Sequence, residues 1–211
     1  MSLASSVLSF AAVAGLVTII PGLDTAIVLR SAVSRGRRHG VATALGVNTG
    51  VLVWGAAAAV GVSALLTAST VAYTALRIAG ALYMLWLGAR LLWRAVHERG
   101  GDIAVAAPAA SRSLAGSWRQ GLMTNLLNPK IGAFYLAVLP QFIPAHAPHL
   151  AVGLLLALVH NAEGLIWFGA IITGAHSART LLERRRVRRG VDGVTGCALI
   201  GFGLKLGLSS R

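Results

Sequence analysis

The chain has 211 residues, 56% of them hydrophobic and only 12% charged, about half the charged share of a soluble domain. Together with a mean hydropathy of +0.74, this excludes one long soluble domain and predicts an all-α integral membrane protein. The net charge of +13 would suit nucleic acid, but the arginines cluster between the hydrophobic runs, so nucleic acid is excluded as a partner and the lipid bilayer takes its place.

The first hydrophobic run, Met1 to Leu29, carries one charge, Asp24. No Lys or Arg precedes it, so it is expected to stay in the membrane rather than be cleaved as a signal peptide. A charge in hydrocarbon costs about 2.5–3.5 kcal/mol even on insertion scales. Just before it, Pro21 removes a backbone donor and frees carbonyls near residue 17, while Gly22 lets the chain turn. Asp24 and Thr25 then open a new half-helix, where their oxygens suit orphan N–H groups. Asp24 reads either as a helix cap or as a proton acceptor and ligand for a substrate ammonium. The second run holds Asn48 within Gly46-Val47-Asn48-Thr49-Gly50. Asn48 either lines a cavity or bonds a neighbouring helix, and the glycines suit close helix approach.

The spacing of apolar runs predicts six spans, roughly Leu3–Leu29, Gly40–Leu66, Val71–Trp93, Trp118–Ile143, Leu150–Thr173 and Val191–Leu208. A Gly-, Pro- and Ser-containing linker, 98–116, divides the chain into two three-helix halves, 1–97 and 117–211. Fifteen of the 19 Lys and Arg residues fall in alternate loops or at the span ends that border them, whereas the intervening loops Ser63–Thr70 and Pro140–His149 hold none. The arginine loops are therefore expected in the cytoplasm, with both termini outside. An odd number of spans per half makes two related halves inverted repeats, with helices 1 and 4 interrupted.

In the fourth run, Thr124-Asn125-Leu126-Leu127-Asn128-Pro129-Lys130 packs four polar side chains and a breaker into seven residues. In a helix Asn125 and Asn128 share a face, and their amides suit a carboxylate or freed carbonyls. Lys130 lies mid-run, where snorkelling is awkward. It calls for an anion: Asp24, Glu163 or a bound carboxylate. In the fifth run His160 and Glu163 stand three apart, either as a proton-trading pair or as polar packing; two ligands make no complete metal site. Arg77 and Lys205 are read as snorkelling, the tryptophans as interface anchors or helix packing, and His146 and His149 as outer-loop residues without a readable role. Cys197 is the single cysteine, which excludes an intrachain disulfide, a thiolate metal site and a thiol relay. With no nucleophile–base arrangement either, an enzyme is not expected, and neither a cofactor nor a metal is called for.

These residues carry a resemblance. Pro21-Gly22-x-Asp24-Thr25, followed by Arg30-Ser31-x-x-Ser34-Arg35-Gly36-Arg37-Arg38-x-Gly40 and Gly46-x-x-x-Gly50, resembles the first signature of the LysE/RhtB amino-acid exporter family. Gly121-Leu122-x-Thr124-Asn125-Leu126-Leu127-Asn128-Pro129-Lys130, then Leu139-Pro140-Gln141-Phe142, is similar to the second. The likeness extends over essentially the whole chain, to the glycine-rich last helix from Thr195-Gly196 to Gly207. Leu23 departs from it, since the family often has a second proline there. The resemblance implies a multi-pass protein of the bacterial inner membrane, exporting amino acids or related small molecules by proton antiport. It raises Asp24, Asn125, Asn128, Pro129 and Lys130 as pathway residues. Thr25 and Asn48 join them as substrate-binding candidates; Asp24, Glu163 and His160 are the proton-coupling candidates. The other readings carried forward are a non-transporting scaffold held by an Asp24–Lys130 pair and an inorganic-cation exporter. The Gly46/Gly50 and Gly203/Gly207 faces offer surfaces for a homodimer.

Overall fold

The computed structural model describes residues 2–68, 70–97, 113–144, 147–175 and 184–208. Regular structure among them is helical throughout: α1 (Leu3–Ile19), α2 (Leu23–Arg35), α3 (Arg37–Ala68), α4 (Thr70–His97), α5 (Leu114–Leu126), α6 (Pro129–Ala137), α7 (His149–Thr173) and α8 (Arg185–Leu208), with a 3-10 turn at Leu139–Phe142. Two stretches, Arg37–Gly61 and His149–Thr173, are each long and apolar enough to cross a membrane. The α1–α2 pair makes a third if taken as one span bent by 54°.

Both expected interruptions are present. The first falls at Ile20–Gly22, where Pro21 cannot donate to Val17 and Gly22 becomes the N-cap of α2 without a side-chain cap bond. The second falls at Leu127–Asn128. Asn128 Oδ1 accepts from Lys130 N, and Pro129 takes the first helical position, where its missing N–H costs nothing. The helices also overrun the expected spans. Residues 63–68, assigned to a loop from sequence, continue α3, because nothing in that stretch breaks a helix and hydrocarbon thickness does not end one. Most of the linker 98–116, together with His146 and the side chains of Arg77 and Lys205, lies outside the described residues. Ser113 caps α5, whose first turn takes up the linker's last three residues.

Helix α3 sits centrally against α2, α5 and α7, while α8 packs chiefly on α4. Small residues set the closest approach. A Cβ at Gly46 would collide with the Trp118 carbonyl, and one at Gly121 with the Thr43 carbonyl. Gly50 faces Asn125, and Gly203 faces Ala81 and Leu85. These glycine faces are thus used within the chain. Trp54 and Trp118 serve the same seam, Trp54 donating to Asn125 O at 3.4 Å and Trp118 to Thr49 Oγ1 at 3.2 Å. The main apolar core surrounds Phe10, Phe134, Tyr135, Leu139 and Leu156. Leu8, Ile166 and Leu208 stand on the outer surface, as side chains facing lipid would.

Candidate functional site

The two breaks meet. Side chains of Thr18, Asp24, Thr25, Asn48, Lys130 and His160, from α1, α2, α3, α6 and α7, line one cavity, whose apolar walls include Val17, Val47, Ile131 and Phe168. Its free volume is about 30 Å³, room for a water or two. An amino acid enters only if the surrounding helices move apart.

Asp24 lies in the first turn of α2, where the helix dipole favours a negative charge. It does not cap the helix; Gly22 holds that position. Asp24 is 8% exposed, and its Oδ2 accepts from Asn125 Nδ2 at 2.8 Å. Asp24 Oδ1, Asn125 Oδ1 and Asn128 Nδ2 are buried without a hydrogen-bond partner. Unpaired buried polar atoms are rare in folded proteins and mark places where a water, ion or ligand fits. The two asparagines do not share a helical face as expected, because α5 ends between them. Asn125 reaches Asp24 from the last turn of α5, and Asn128 caps α6.

Lys130 takes neither carboxylate as a hydrogen-bond partner. Its Nζ donates to Val17 O at 3.2 Å and Ile20 O at 3.3 Å, the carbonyls left bare where Pro21 stops α1. The Asp24–Lys130 pair anticipated from charge balance is thus an interaction of two charges lining one cavity rather than a hydrogen-bonded pair, the ammonium's hydrogen bonds going to main-chain oxygens. Gly22 leaves space for it, since a Cβ there would lie 3.1 Å from Nζ.

His160 and Glu163 are not hydrogen-bonded to each other. His160 Nδ1 bonds Tyr135 Oη at 2.9 Å, with the rings stacked 5.8 Å apart. Glu163 is half-buried about one turn further along α7. Its carboxylate packs over Gly15, and Oε2 is buried without a partner. Tyr135 was not anticipated, since in an apolar run it counts as a hydrophobe. Asn48 lines the cavity and also donates to Ala44 O at 2.8 Å, so both readings of it hold.

A second polar cluster, also unanticipated, lies further along α2. Arg35 donates to Ser31 Oγ at 2.6 Å, Gln120 Oε1 at 2.9 Å and Ser117 Oγ at 3.4 Å. His39 Nδ1 lies 2.8 Å from Ser117 Oγ, and Thr43 donates to Ser31 Oγ at 3.0 Å. Ser31, Thr43 and Ser117 are fully buried. This cluster ties α2, α3 and α5 together at the arginine-bearing end. The i, i+4 spacing of Ser31 and Arg35 was its one sequence signal.

Comparison with known proteins places the chain. It is 27% identical over 208 residues to the uncharacterized membrane protein YrhP of Bacillus subtilis (strain 168), covering 97% of this chain and 99% of that protein. It is 31% identical over 192 residues to the threonine efflux protein of Escherichia coli (strain K12), covering 90% and 91%. The leucine efflux protein of Enterobacter sp. (strain 638) is 30% identical over 192 residues, covering 90% and 89%. No solved structure matches. The model of the LysE type translocators matches residues 15–210, and the chain belongs to that family.

Proposed function

We propose that this chain is a six-span secondary exporter of amino acids or related small zwitterions, driven by proton antiport. The observation that carries this reading is the cavity at the first break. It gathers an acid, an ammonium, an amide, a hydroxyl and an imidazole between helices that are themselves interrupted. Discontinuous helices of secondary transporters bind substrate and coupling ion at such breaks. The relatives named as threonine and leucine efflux proteins supply the substrate class and the outward direction.

In this reading Asp24 takes up the substrate ammonium or a counter-moving proton. The Asn128 amide, which lies beside Asp24, the amide of Asn48 and the remaining N–H of Lys130 are the donors for the substrate carboxylate, and Thr25 completes the polar wall. Asn125 holds Asp24 in place. His160 and Glu163 are further stations for the proton. The arginine loops face the bacterial cytoplasm, and both termini lie outside.

Two inverted halves, 1–97 and 117–211, joined by 98–116, are part of this reading. The helices that would correspond meet each other, α3 with α7 and α4 with α8; α3 packs on α5 as α7 packs on α1. Opening the cavity then amounts to rocking one half on the other.

Purified protein in liposomes, screened with labelled amino acids under an imposed proton gradient, tests the reading. Asp24→Asn should enter the membrane normally and lose proton-coupled transport. Normal transport by Asp24→Asn would remove Asp24 from the mechanism, and no transported amino acid would remove the function.

A further inference from the structure

The Lys130 ammonium stands at a peculiar place. It belongs to the first turn of α6, the positive end of that helix dipole, where a cation is disfavoured. The placement therefore does nothing for its own helix. It serves α1 instead. The Val17 carbonyl has no helical donor because residue 21 is proline, and Ile20 is the C-cap of α1. Both carbonyls lie at the negative end of α1 and point at Nζ, 3.2 and 3.3 Å away.

Two more oxygens stand on the otherwise largely apolar wall of the same cavity. Thr18 and Asp24 line the same cavity, and Thr18 Oγ1 and Asp24 Oδ1 are each buried without a hydrogen-bond partner. The two carbonyls hold Nζ, while the hydroxyl and the carboxylate make no hydrogen bond to it and stand further out on the same wall, oxygen donors of the hard kind that suits a small cation. In transporters with broken spans, unwound carbonyls and half-helix C-termini are where a coupling cation such as sodium binds.

We propose that the break between α1 and α2 is a monovalent-cation site whose resident cation is the chain's own Lys130 ammonium. Tethered on α6, the ammonium occupies the two carbonyls without a dissolved cation. It also links the two broken spans directly, because a movement of α6 withdraws the cation from α1. The site stands whether or not the cavity carries an amino acid; only its coupling to export rests on the function proposed above.

Removing the tether should turn the site into one for a dissolved ion. Purified full-length Lys130→Ala is compared with the wild type by thermal unfolding in detergent. Sodium, methylammonium or choline chloride is titrated at constant ionic strength. The variant should unfold at lower temperature. Sodium or methylammonium should raise its midpoint by several degrees with saturation, as a ligand of the native state does. Choline, which has no N–H and is too large, should not, and the wild type should respond to none of them. If Lys130→Ala cannot be extracted, Lys130→Ser takes its place in the same titration; extraction only in the presence of sodium or methylammonium is an expected outcome. Equal recovery by choline, recovery by no cation, or a wild-type response equal to the variant's overturns the proposal. Liposome transport by the same variant separates the two ideas. A cation-dependent midpoint without amino-acid transport in either protein leaves the site standing and removes the exporter reading.

Discussion

The Asn125 amide donates to Asp24 Oδ2 at 2.8 Å, tying the last turn of α5 to the first turn of α2. Both side chains are buried, so the bond is shielded from competing water. Removing a donor from a buried acceptor costs about 1–3 kcal/mol. In a chain of this size each kcal/mol moves the unfolding midpoint by about 2–4 °C. Asn125→Ala should therefore lower the midpoint by several degrees. Asn125→Asp, which sets a second carboxylate against the first, should lower it further. Thermal unfolding of purified protein checks both, and an unchanged midpoint for Asn125→Ala would mean that the bond does not hold Asp24.

Gly50 has a role that passes through the same bond. A Cβ there would lie 2.5 Å from Asn125 Oδ1 and 2.9 Å from Asn125 Cβ, and neither contact is tolerable without movement of α5. Gly50→Ala should thus reproduce the loss seen on removing the Asn125 amide. Gly61→Ala is the matched control on the same helix, because a Cβ at Gly61 meets nothing within 4 Å. An alanine in a helix interior is worth roughly 0.5–1 kcal/mol over glycine, so Gly61→Ala should be neutral or slightly stabilising. Equal effects of the two substitutions on unfolding would contradict this account.

The breaks were legible because proline states its own consequence: residue 21 has no N–H, so the Val17 carbonyl must find another partner. That partner was not legible. Charge balance along the sequence directs Lys130 to an acid, whereas main-chain carbonyls carry no letter and enter only once α6 is folded against α1. The hydrogen-bond partner of His160 was missed for a related reason. Spacing on one helix places two residues on a face but cannot exclude a better partner from another helix, here Tyr135. The expected loop at 63–70 came from hydrocarbon thickness, which does not limit a helix whose sequence lacks a breaker. Thr43 and Ser117 were invisible because small polar residues within helices look the same whether they face solvent or one another.

Tyr135 Oη and His160 Nδ1, 2.9 Å apart, join α6 to α7 beside the cavity. Tyr135→Phe keeps the ring and its stacking while leaving a buried imidazole nitrogen without its partner. The cost should be about 1–3 kcal/mol, visible as a lower unfolding midpoint. His160→Phe removes the orphaned polar group as well. Combined with Tyr135→Phe, it should recover part of that stability, since replacing both partners by apolar groups can be nearly neutral. A double-mutant cycle on unfolding free energy measures the coupling, and strictly additive losses would show that the two side chains do not interact.

Arg35 reaches three side chains at once, Ser31, Ser117 and Gln120, which only a planar guanidinium with several fixed donors can do. Arg35→Lys keeps the charge but replaces the fork with a point ammonium. It should therefore cost stability although net charge is unchanged, by about 1–2 kcal/mol if one or two neutral hydrogen bonds are lost. Ser117→Ala removes the hydroxyl shared with His39, and should cost less in the Arg35→Lys background than in the wild type because part of the cluster is already undone. Contacts in one network are non-additive in this way. The cluster ties α2, α3 and α5 at one end of the bundle, so its loss should also speed proteolysis or thiol labelling of sites placed along that seam. If Arg35→Lys unfolds at the wild-type temperature and leaves the seam equally protected, positive charge alone is what position 35 contributes, and the fork does not hold the helices together.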